Sequence, residues 1–464
     1  MNDLSKSKQG GIARRAFVKA GAGAALTAAS WRRALGANER IGVGLIGYGL
    51  VGERHAIDFH QQPDVDVVAV AEAHSGRLEE AAKSLGGHVA QYGDFRKLLE
   101  DKRVDAVCIS TPDHWHALMT MMACAAGKDV YVEKPLTLFV REGRWMVEVA
   151  RRHRRVVQVG TQQRSGPHYQ RARRFIREGR LGRIISARVD FHRNLVPGFG
   201  NPPDQEPPPE LDWEMFTGPA PLRPYNPNRG IYQFRWFWDY SGGQMTNWGQ
   251  HALDVVDWCL DAKGPTAVYS TGGRRFLTDN CDVPDVQETL FEYPGWSMAI
   301  SIRECSIGWY TNPLGFYGTH GSLHVTRKGY DVTPDQKIPA ISMMPRYEGG
   351  HPVGGLADVP KTRARPLRTE GISDKSGDPR EQFKLHVRNF LDCVKSREEP
   401  LSDLESGHRV ATALHLGNLS LRIGRRIRWD PEKEQILDDP EAAEMLVRPY
   451  RQPWDAELRS LDIV

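Results

Sequence analysis

A lysine at the end of an apolar run is the first residue in this sequence that suggests chemistry. Glu133, Lys134 and Pro135 directly follow the strand-like residues 129–132. An ammonium group in such a place loses part of its hydration, and a partly desolvated lysine can polarise a hydroxyl group that is about to react. An ion pair between Lys134 and Glu133 on the rim of a sheet explains the same residues equally well. The residue types alone leave both interpretations open.

A second polar group follows the apolar run 104–109. In an open sheet of parallel strands, the carboxyl ends of the strands face the ligand crevice. Thr111 is therefore well placed to contact a bound ligand, whereas Asp113 is interpreted more simply as the cap of the next helix. The members of this group are Thr111, Pro112, Asp113, His114, Trp115 and His116.

A glycine-rich turn nearer the N-terminus indicates which ligand to expect. The apolar run 41–46 leads into the turn, and a helix-like stretch follows it. Gly47 permits a tight turn after the strand, Gly49 lets a pyrophosphate approach bare backbone, and Gly52 lets the helix pack closely on the strand. Free N–H groups at the helix N-terminus attract phosphate. This pattern predicts a dinucleotide-binding βαβ unit.

An acidic residue completes the unit. Glu72 ends the second apolar run, 20 residues after Gly52, where a carboxylate can accept hydrogen bonds from the adenosine ribose. A carboxylate there repels a 2′-phosphate, so NAD is favoured over NADP, although Arg77 nearby could soften this preference. The residues of the unit that we expect to bind the cofactor are Gly47, Tyr48, Gly49, Leu50, Val51, Gly52 and Glu72.

The elements that hold these residues alternate in type. Short β-rich runs separated by amphipathic stretches predict a parallel sheet with helices on both faces. We therefore expect an α/β fold that begins with a doubly wound, NAD(P)-binding Rossmann domain over residues 38–160. The predicted strands are 41–46, 66–71, 104–109, 129–132 and 156–159, and the predicted helices are 51–61, 76–85, 94–101, 114–126 and 138–153.

The pattern changes after about residue 183. Longer runs that alternate between apolar and polar residues indicate a large, mostly antiparallel open sheet, so we expect a C-terminal α/β domain over 161–430 and a tail over 431–464. The Pro- and aromatic-rich segment 194–240 is predicted to lack regular helix, and its aromatic residues suit either a sugar-facing wall or a covered interface. Segment 330–379 is predicted to be irregular. The predicted strands are 184–192, 266–276, 286–293, 297–303, 315–319 and 322–326, with helices near 167–178, 250–260, 380–395 and 403–424.

Residues 1–37 have the character of an export signal. Arg14 and Arg15 precede an apolar residue and a lysine in a pattern that resembles the twin-arginine consensus, and a weakly apolar span, 20–29, follows. This pattern predicts export of the folded protein to the periplasm by the twin-arginine machinery, with the mature chain starting near Asn38. A disordered basic tail is the alternative.

The charge of the chain excludes one class of partner. The formal net charge of +4 comes from the N-terminal segment, because acidic residues slightly outnumber basic ones in the rest of the chain. A nearly neutral body argues against nucleic acid as a partner. No apolar run approaches the ~20 residues of a membrane span, and the spacing of Cys and His residues indicates no metal site.

The motifs together resemble the Gfo/Idh/MocA oxidoreductase family, which includes glucose–fructose oxidoreductase and inositol dehydrogenase. The resemblance rests on the glycine turn with Glu72, then STPDHWH, then VYVEKP. It continues through GGQMTNWGQHALD at 242–254 and GTHGSL at 318–323, so it covers almost all of 41–430 in the right order. The residues LDW at 211–213 are similar to exported family members that have twin-arginine signals.

The resemblance implies roles for individual residues. Lys134 matches the family lysine that binds the reacting hydroxyl, and His251 matches the family acid/base. The family aspartate near that histidine is Asn247 here, and an amide can hold Lys134 or a hydroxyl but cannot accept a proton. Asp254, one turn after His251, could orient it or could face solvent. Alongside the glycine-turn residues, the expected cofactor contacts are Thr111, Pro112, His116, Glu133, Lys134 and Gln162.

The implied activity is an NAD(P)-dependent oxidation of a secondary hydroxyl group in a sugar, cyclitol or sugar derivative, in a homo-oligomer. Because the periplasm has no pool of NAD, a tightly held and recycled cofactor is expected. One alternative is a glycoside-cleaving enzyme that oxidises a ring carbon transiently, eliminates the aglycone and then reduces the sugar again. A second is a non-catalytic nucleotide-binding protein, suggested by Asn247 but opposed by the intact Lys134 and His251.

Overall fold

The N-terminal part of the chain folds into alternating strands and helices. The computed structural model describes residues 40–308, 313–335, 346–348, 351–353 and 369–463, so the predicted signal peptide lies outside the described residues. The strands of this part are β1 (Ile41–Ile46), β2 (Val65–Ala71), β3 (Ala90–Tyr92), β4 (Ala106–Ile109), β5 (Asp129–Val132) and β6 (Val157–Val159). The helices are α1 (Leu50–His60), α2 (Ser75–Ser84), α3 (Phe95–Glu100), α4 (Asp113–Ala125) and α5 (Val140–Arg152).

Within the described residues, these strands form one six-stranded parallel sheet in the order β3-β2-β1-β4-β5-β6. Successive strands spread outward from β1 in both directions, so the sheet has its switch point between β1 and β4. Ligands of such sheets bind at the carboxyl ends of the strands beside the switch point. Strands β1, β4 and β5 are buried along their whole length. The predicted Rossmann fold is confirmed.

A larger sheet forms the second part of the fold. In the described ranges it has ten strands, ordered β16-β13-β12-β11-β7-β10-β9-β8-β17-β18. Only β7 and β10 pair in parallel within it, and the other neighbours are antiparallel. The mostly antiparallel sheet is confirmed. The strands are β7 (Ile184–His192), β8 (Ala267–Gly273), β9 (Val286–Tyr293), β10 (Trp296–Arg303), β11 (Leu314–Gly318), β12 (Gly321–Thr326), β13 (Gly329–Pro334), β16 (Ile372–Asp374), β17 (Ile427–Asp430) and β18 (Gln435–Leu437), beside a separate pair, β14 (Arg346–Glu348) and β15 (His351–Val353).

Helices cover one face of this larger sheet and leave the other open. The covered face packs its apolar side chains against three helices, α6 (Pro167–Arg177), α9 (Gly249–Leu260) and α11 (Leu404–Ile423). The open face carries the half-exposed side chains of Ile185, Tyr269 and Leu290. None of the helices in the described part of the chain is long and apolar enough to cross a membrane.

Two segments differ from the sequence prediction. Segment 330–379 is not irregular in its described parts, because β13 and β16 extend the sheet and β14 and β15 form a separate pair. The Pro-rich segment 194–240 contains a short helix, α7 (Trp213–Thr217). Its aromatic side chains pack on one another as a small separate core, which includes Trp213, Phe216, Tyr225, Phe234, Trp236 and Tyr240.

The C-terminal residues return to the Rossmann domain. Helix α10 (Pro379–Ser396) inserts Val387 and Phe390 into the core beside β1. Beyond it, helix α12 (Pro440–Glu444) leads to α13 (Trp454–Arg459), where Trp454 packs on Trp115 with the ring centroids 4.7 Å apart. The described part of the predicted tail is therefore ordered and joins the two parts of the fold.

Candidate active site

The glycine turn presents bare backbone at the start of α1. Gly47 has a φ of +89°, a left-handed value that favours glycine. A Cβ at Gly52 would collide with the carbonyl oxygen of Gly47, so only glycine lets α1 lie this close to β1. A Cβ at Gly49 would meet nothing nearer than Arg77 Nη1 at 3.7 Å, so this backbone is open to a ligand. The turn fits a pyrophosphate at the N-terminus of α1.

Glu72 holds the turn in shape as well as facing the ligand. Its Oε2 accepts a hydrogen bond from the backbone N–H of Tyr48 at 2.7 Å, and its Oε1 accepts one from the N–H of His74 at 3.1 Å. The Tyr48 side chain is buried and points away from the crevice, with its hydroxyl 2.9 Å from Ser84 Oγ. Tyr48 thus supports the turn through packing and its N–H group.

A crevice runs from the glycine turn along the carboxyl ends of β1, β2 and β4. Thr111 and Pro112 form its wall where α4 begins, and Arg235 of the Pro-rich segment closes the opposite side. Trp115 also faces the crevice and rests on Trp454, so the C-terminal helix supports this wall. The expected cofactor contacts that line the crevice are Gly47, Gly49, Leu50, Val51, Glu72, Thr111 and Pro112.

His116 connects two loops instead of lining the crevice. Its side chain is buried, and its Nδ1 and Nε2 lie 2.6 Å from the Pro135 carbonyl oxygen and 2.9 Å from the Thr111 carbonyl oxygen. Both ring nitrogens are therefore occupied by backbone. His116 fixes the loop after β4 relative to the loop that carries Lys134, which is a positioning role and not the expected cofactor contact.

Glu133 points into the domain, so of the two interpretations left open, the ion pair with Lys134 on the rim is wrong. Glu133 is 4% exposed, and its Oε1 accepts hydrogen bonds from His55 Nε2 at 2.7 Å and Gln162 Nε2 at 2.6 Å. Its Oε2 accepts the backbone N–H of Lys134 at 3.0 Å. Burial opposes the charge, but the hydrogen bond from His55 and the neighbouring charges outweigh it and lower the pKa of Glu133. Gln162 also donates to Tyr131, so its amide braces this network from within.

Lys134 extends away from Glu133 and toward the second part of the fold. Its Nζ donates to Asn247 Oδ1 at 2.8 Å and to the Asn247 carbonyl oxygen at 3.3 Å. Burial, with the charges of Arg235 and Arg327, lowers the pKa of Lys134 to about 8 against the attraction of Glu133. Arg235 lines the crevice and Arg327 lines a second cavity, so charges from both cavities act on the ammonium group.

Asn247 continues a chain of hydrogen bonds. It lies at the end of helix α8 (Gly243–Asn247), and its Nδ2 donates to Gln244 Oε1 at 3.0 Å. Gln244 is 4% exposed, and its Nε2 has no partner among the described residues. This series of hydrogen bonds therefore runs from the Lys134 ammonium through the amides of Asn247 and Gln244. It ends at the Gln244 Nε2 group, which has no acceptor among the described residues.

His251 lies at the start of α9 with its ring facing the second cavity. Its Nδ1 is buried without a partner among the described residues, which leaves Nε2 as the nitrogen open to the cavity. Burial, followed by the charges of Lys134 and Arg327, lowers the pKa of His251 well below its ordinary value, which favours the neutral form of the ring. Asp254 neither orients His251 nor faces solvent, because its carboxylate accepts two hydrogen bonds from Arg164 at 2.7 and 2.9 Å.

The second cavity has a volume of about 660 Å³ and lies against the larger sheet. Strand β7 supplies one wall, the start of α9 a second and the end of β12 a third. Aromatic and charged side chains together form a lining that suits a polyhydroxylated ring. The lining residues used below are Asp190, Arg193, Gln244, Trp248, His251, Glu304 and Arg327.

Sequence reasoning did not single out three residues of this site. Gln244 lies in the GGQMTN motif that supported the family resemblance, so the motif offered a signal for it. His55 follows Gly52 by three residues and therefore shares the inner face of α1, which also could have indicated it. Arg327 had no such signal, because its place in the cavity depends on the course of β12.

Comparisons with known proteins agree with this geometry. Residues 41–161 match the Gfo/Idh/MocA model described as an oxidoreductase family with an NAD-binding Rossmann fold, and residues 185–276 and 371–456 match that of its C-terminal α/β domain. The scyllo-inositol 2-dehydrogenase (NAD(+)) of Bacillus subtilis (strain 168) is 32% identical over 401 residues, which are 84% of this chain and 96% of that protein. This chain belongs to the Gfo/Idh/MocA oxidoreductase family.

Solved structures share the Gfo/Idh/MocA fold at lower identity. Levoglucosan dehydrogenase, in complex with NADH and levoglucosan, aligns with a TM-score of 0.62 and 19% identity over 84% of this chain and 99% of its own. GenD2 from gentamicin A biosynthesis, in complex with NAD, aligns with a TM-score of 0.60 and 21% identity over 84% of this chain and 97% of its own. The domain that contains the glycine turn and its crevice is the NAD-binding Rossmann domain of an oxidoreductase.

Proposed function

We propose that this Gfo/Idh/MocA oxidoreductase oxidises a secondary hydroxyl group of a sugar, cyclitol or sugar derivative. The observation that carries the proposal is the hydrogen bond from Lys134 to Asn247, together with the His251 ring that faces the second cavity. The names of the inositol and levoglucosan dehydrogenases among its relatives support this class of substrate.

The residues divide the reaction between them. The Lys134 ammonium donates a hydrogen bond to the substrate oxygen and stabilises the negative charge that develops there, while His251 Nε2 accepts the hydroxyl proton. Bound NAD supplies the acceptor for the hydride that leaves the carbinol carbon as the C=O bond forms. Asn247 directs Lys134 but cannot accept a proton, so the proton leaves through His251.

We further propose that the enzyme works in the periplasm as a homo-oligomer and keeps its cofactor. The Arg14-Arg15 pattern within residues 1–37 supports twin-arginine export, a route that carries folded proteins with their cofactors in place. An enzyme outside the NAD pool must recycle the nucleotide by pairing each oxidation with a reduction. The half-exposed apolar residues Ile185, Tyr269 and Leu290 on the open sheet face support association between copies.

The purified protein offers a direct test. The nucleotide released on denaturation is identified by its absorbance spectrum and mass, and the native protein is then mixed with a panel of cyclitols, sugars and glycosides. Reduction of bound nicotinamide by an alcohol supports the proposal. Release of free sugar from a glycoside with no net reduction supports the glycoside-cleaving alternative instead. If Lys134→Ala and His251→Ala leave the measured activity unchanged, both the dehydrogenase function and the glycoside-cleaving function are wrong.

A further inference from the structure

The charges of the substrate cavity indicate a narrower substrate class, on the premise that the proposed dehydrogenase function is correct. We propose that the substrate carries a carboxylate group, which Arg327 and the Nε2 amide of Gln244 bind. The substrate is then a sugar acid, or a cyclitol that bears a carboxylate, instead of a neutral polyol.

Arg327 is the cation on which this proposal depends. It directly follows β12, lines the cavity and is partly exposed. Among the described residues its guanidinium has no hydrogen-bond or ion-pair partner. Its charge lowers the pKa of both Lys134 and His251, which places it near the reacting groups. A guanidinium presents five N–H donors in a planar fork that matches a carboxylate.

The acidic residues of the cavity do not balance this charge, because arginines already hold them. Glu304 is buried, and its carboxylate accepts a hydrogen bond from Arg193. It also accepts one from the indole N–H of Trp236 at 2.7 Å. Asp190 accepts a hydrogen bond from Arg188 at 3.1 Å. The cavity therefore has a net positive charge that a neutral ligand would leave uncompensated.

Gln244 supplies a second donor that needs an acceptor. Its Oε1 is fixed by Asn247, so the amide is oriented with Nε2 as its unused end, and this buried nitrogen has no partner in the described part of the chain. A buried N–H without a partner lowers stability, and a ligand oxygen removes that cost. A carboxylate provides two acceptor oxygens and one negative charge, which matches one amide and one guanidinium. A phosphate dianion would carry more charge than this pair neutralises.

The test compares acids with their neutral parents. Binding to the NAD-holding protein is measured by calorimetry for glucuronate against glucose, galacturonate against galactose, and glucose 6-phosphate, and kcat and KM are determined wherever turnover occurs. The variants are Arg327→Gln, which removes the charge, and Arg327→Lys, which keeps it. Arg174→Gln is the matched control, since Arg174 is an exposed arginine outside both cavities.

The acids should bind at least tenfold more tightly than the neutral sugars. Arg327→Gln should remove that preference by weakening the binding of the acids, and Arg327→Lys should restore part of it, while Arg174→Gln behaves as wild type. Equal binding of acids and neutral sugars, tighter binding of the phosphate, or an equal loss for both classes in Arg327→Gln would overturn the proposal. Carboxylate binding without any oxidation would instead contradict the dehydrogenase function and leave the carboxylate site in place.

Discussion

Burial next to the neutral amide of Asn247 governs the protonation of Lys134, the residue proposed to hold the substrate oxygen. An aspartate in place of Asn247 would pair with the ammonium and raise its pKa, because a nearby opposite charge favours the charged form. The amide bonds the ammonium without a negative charge, and burial keeps the pKa of Lys134 at about 8. Lys134 therefore changes its charge close to neutral pH.

This leads to a prediction about pH. The proposed role needs the ammonium form, which is present below the pKa of Lys134, so kcat/KM for oxidation should fall as the pH rises through about 8. In Asn247→Asp the added carboxylate raises this pKa, and the falling limb should move to higher pH. The measurement is the pH profile of kcat/KM for both proteins. A rate that rises instead of falling through about pH 8 in the wild type would show that the free amine of Lys134 is the base.

His251 carries a separate prediction. Replacing it with asparagine removes the proton acceptor, so kcat should fall by about 10²–10⁴, the usual range for a general base. NAD binding should be unchanged, since His251 lines the second cavity and not the nucleotide crevice. Steady-state kinetics and nucleotide titration measure the two effects, with His88→Asn, at an exposed histidine, as the control. Unchanged kcat would remove His251 from the mechanism.

For single residues, the sequence indicates which side chains take part in the reaction, but it does not indicate which contacts orient them. Lys134 and His251 are found from motifs, because their types and local spacing are distinctive. The contacts of Asp254 and His116 do not follow from the local sequence, because Arg164 precedes Asp254 by 90 residues and His116 bonds backbone oxygens of two different loops. Tertiary packing, which a single sequence does not display, decides these roles.

Among the elements, the first βαβ unit determines whether NAD binds. Its close packing depends on Gly52, where a Cβ would collide with the Gly47 carbonyl. Gly52→Ala should therefore displace α1, destabilise the protein by about 1–3 kcal/mol and weaken NAD binding. Thermal unfolding with and without added NAD measures both effects. Gly76→Ala is the control, because a Cβ there meets only the His74 ring at 3.4 Å, and equal behaviour of the two variants would contradict this account.

Elements with their own apolar pattern were predictable, including the three-residue strand β6, whereas short strands without such a pattern were not. Strand β1 has the predicted bounds, as do β5, β7 and β9, because each combines a clear pattern with sufficient length. Strands β3 and β16 have three residues each and form only because a neighbouring strand offers hydrogen bonds. Strand β13 lies in a polar region that the sequence suggested to be irregular, and it is stabilised by pairing with β12.

For the molecule as a whole, the return of the C-terminal helices was the least predictable feature. Helix α10 completes the core of the Rossmann domain and α13 supports Trp115 at the NAD crevice, although both lie far away in sequence. Removal of α10 and α13 would therefore expose the core of the Rossmann domain and the back of the crevice wall at Trp115. This interlocking agrees with the proposal that the enzyme folds and binds NAD before export.

Export can be tested with the leader. If residues 1–37 direct twin-arginine transport, replacing both Arg14 and Arg15 by lysine should leave the enzyme and its activity in the cytoplasm, because the route recognises the arginine pair. Fractionation of cells that express the wild-type and variant chains measures this. The control is the double variant Lys6→Arg and Lys8→Arg, which also exchanges lysine and arginine but leaves Arg14 and Arg15 unchanged. Equal periplasmic activity of the Arg14/Arg15 variant would contradict the proposal.

The most direct test of the central claim is a single-turnover reduction of bound NAD. Wild type, Lys134→Ala and His251→Asn, each loaded with one equivalent of NAD, are mixed with an excess of a substrate found in the panel, and the absorbance of reduced nicotinamide is followed. If Lys134 and His251 carry the oxidation, the wild type should rapidly reduce one equivalent of NAD per site. In both variants this reduction should be slowed by at least a hundredfold. Reduction at the wild-type rate in either variant would contradict it, as would an absence of reduction in the wild type with every alcohol tested.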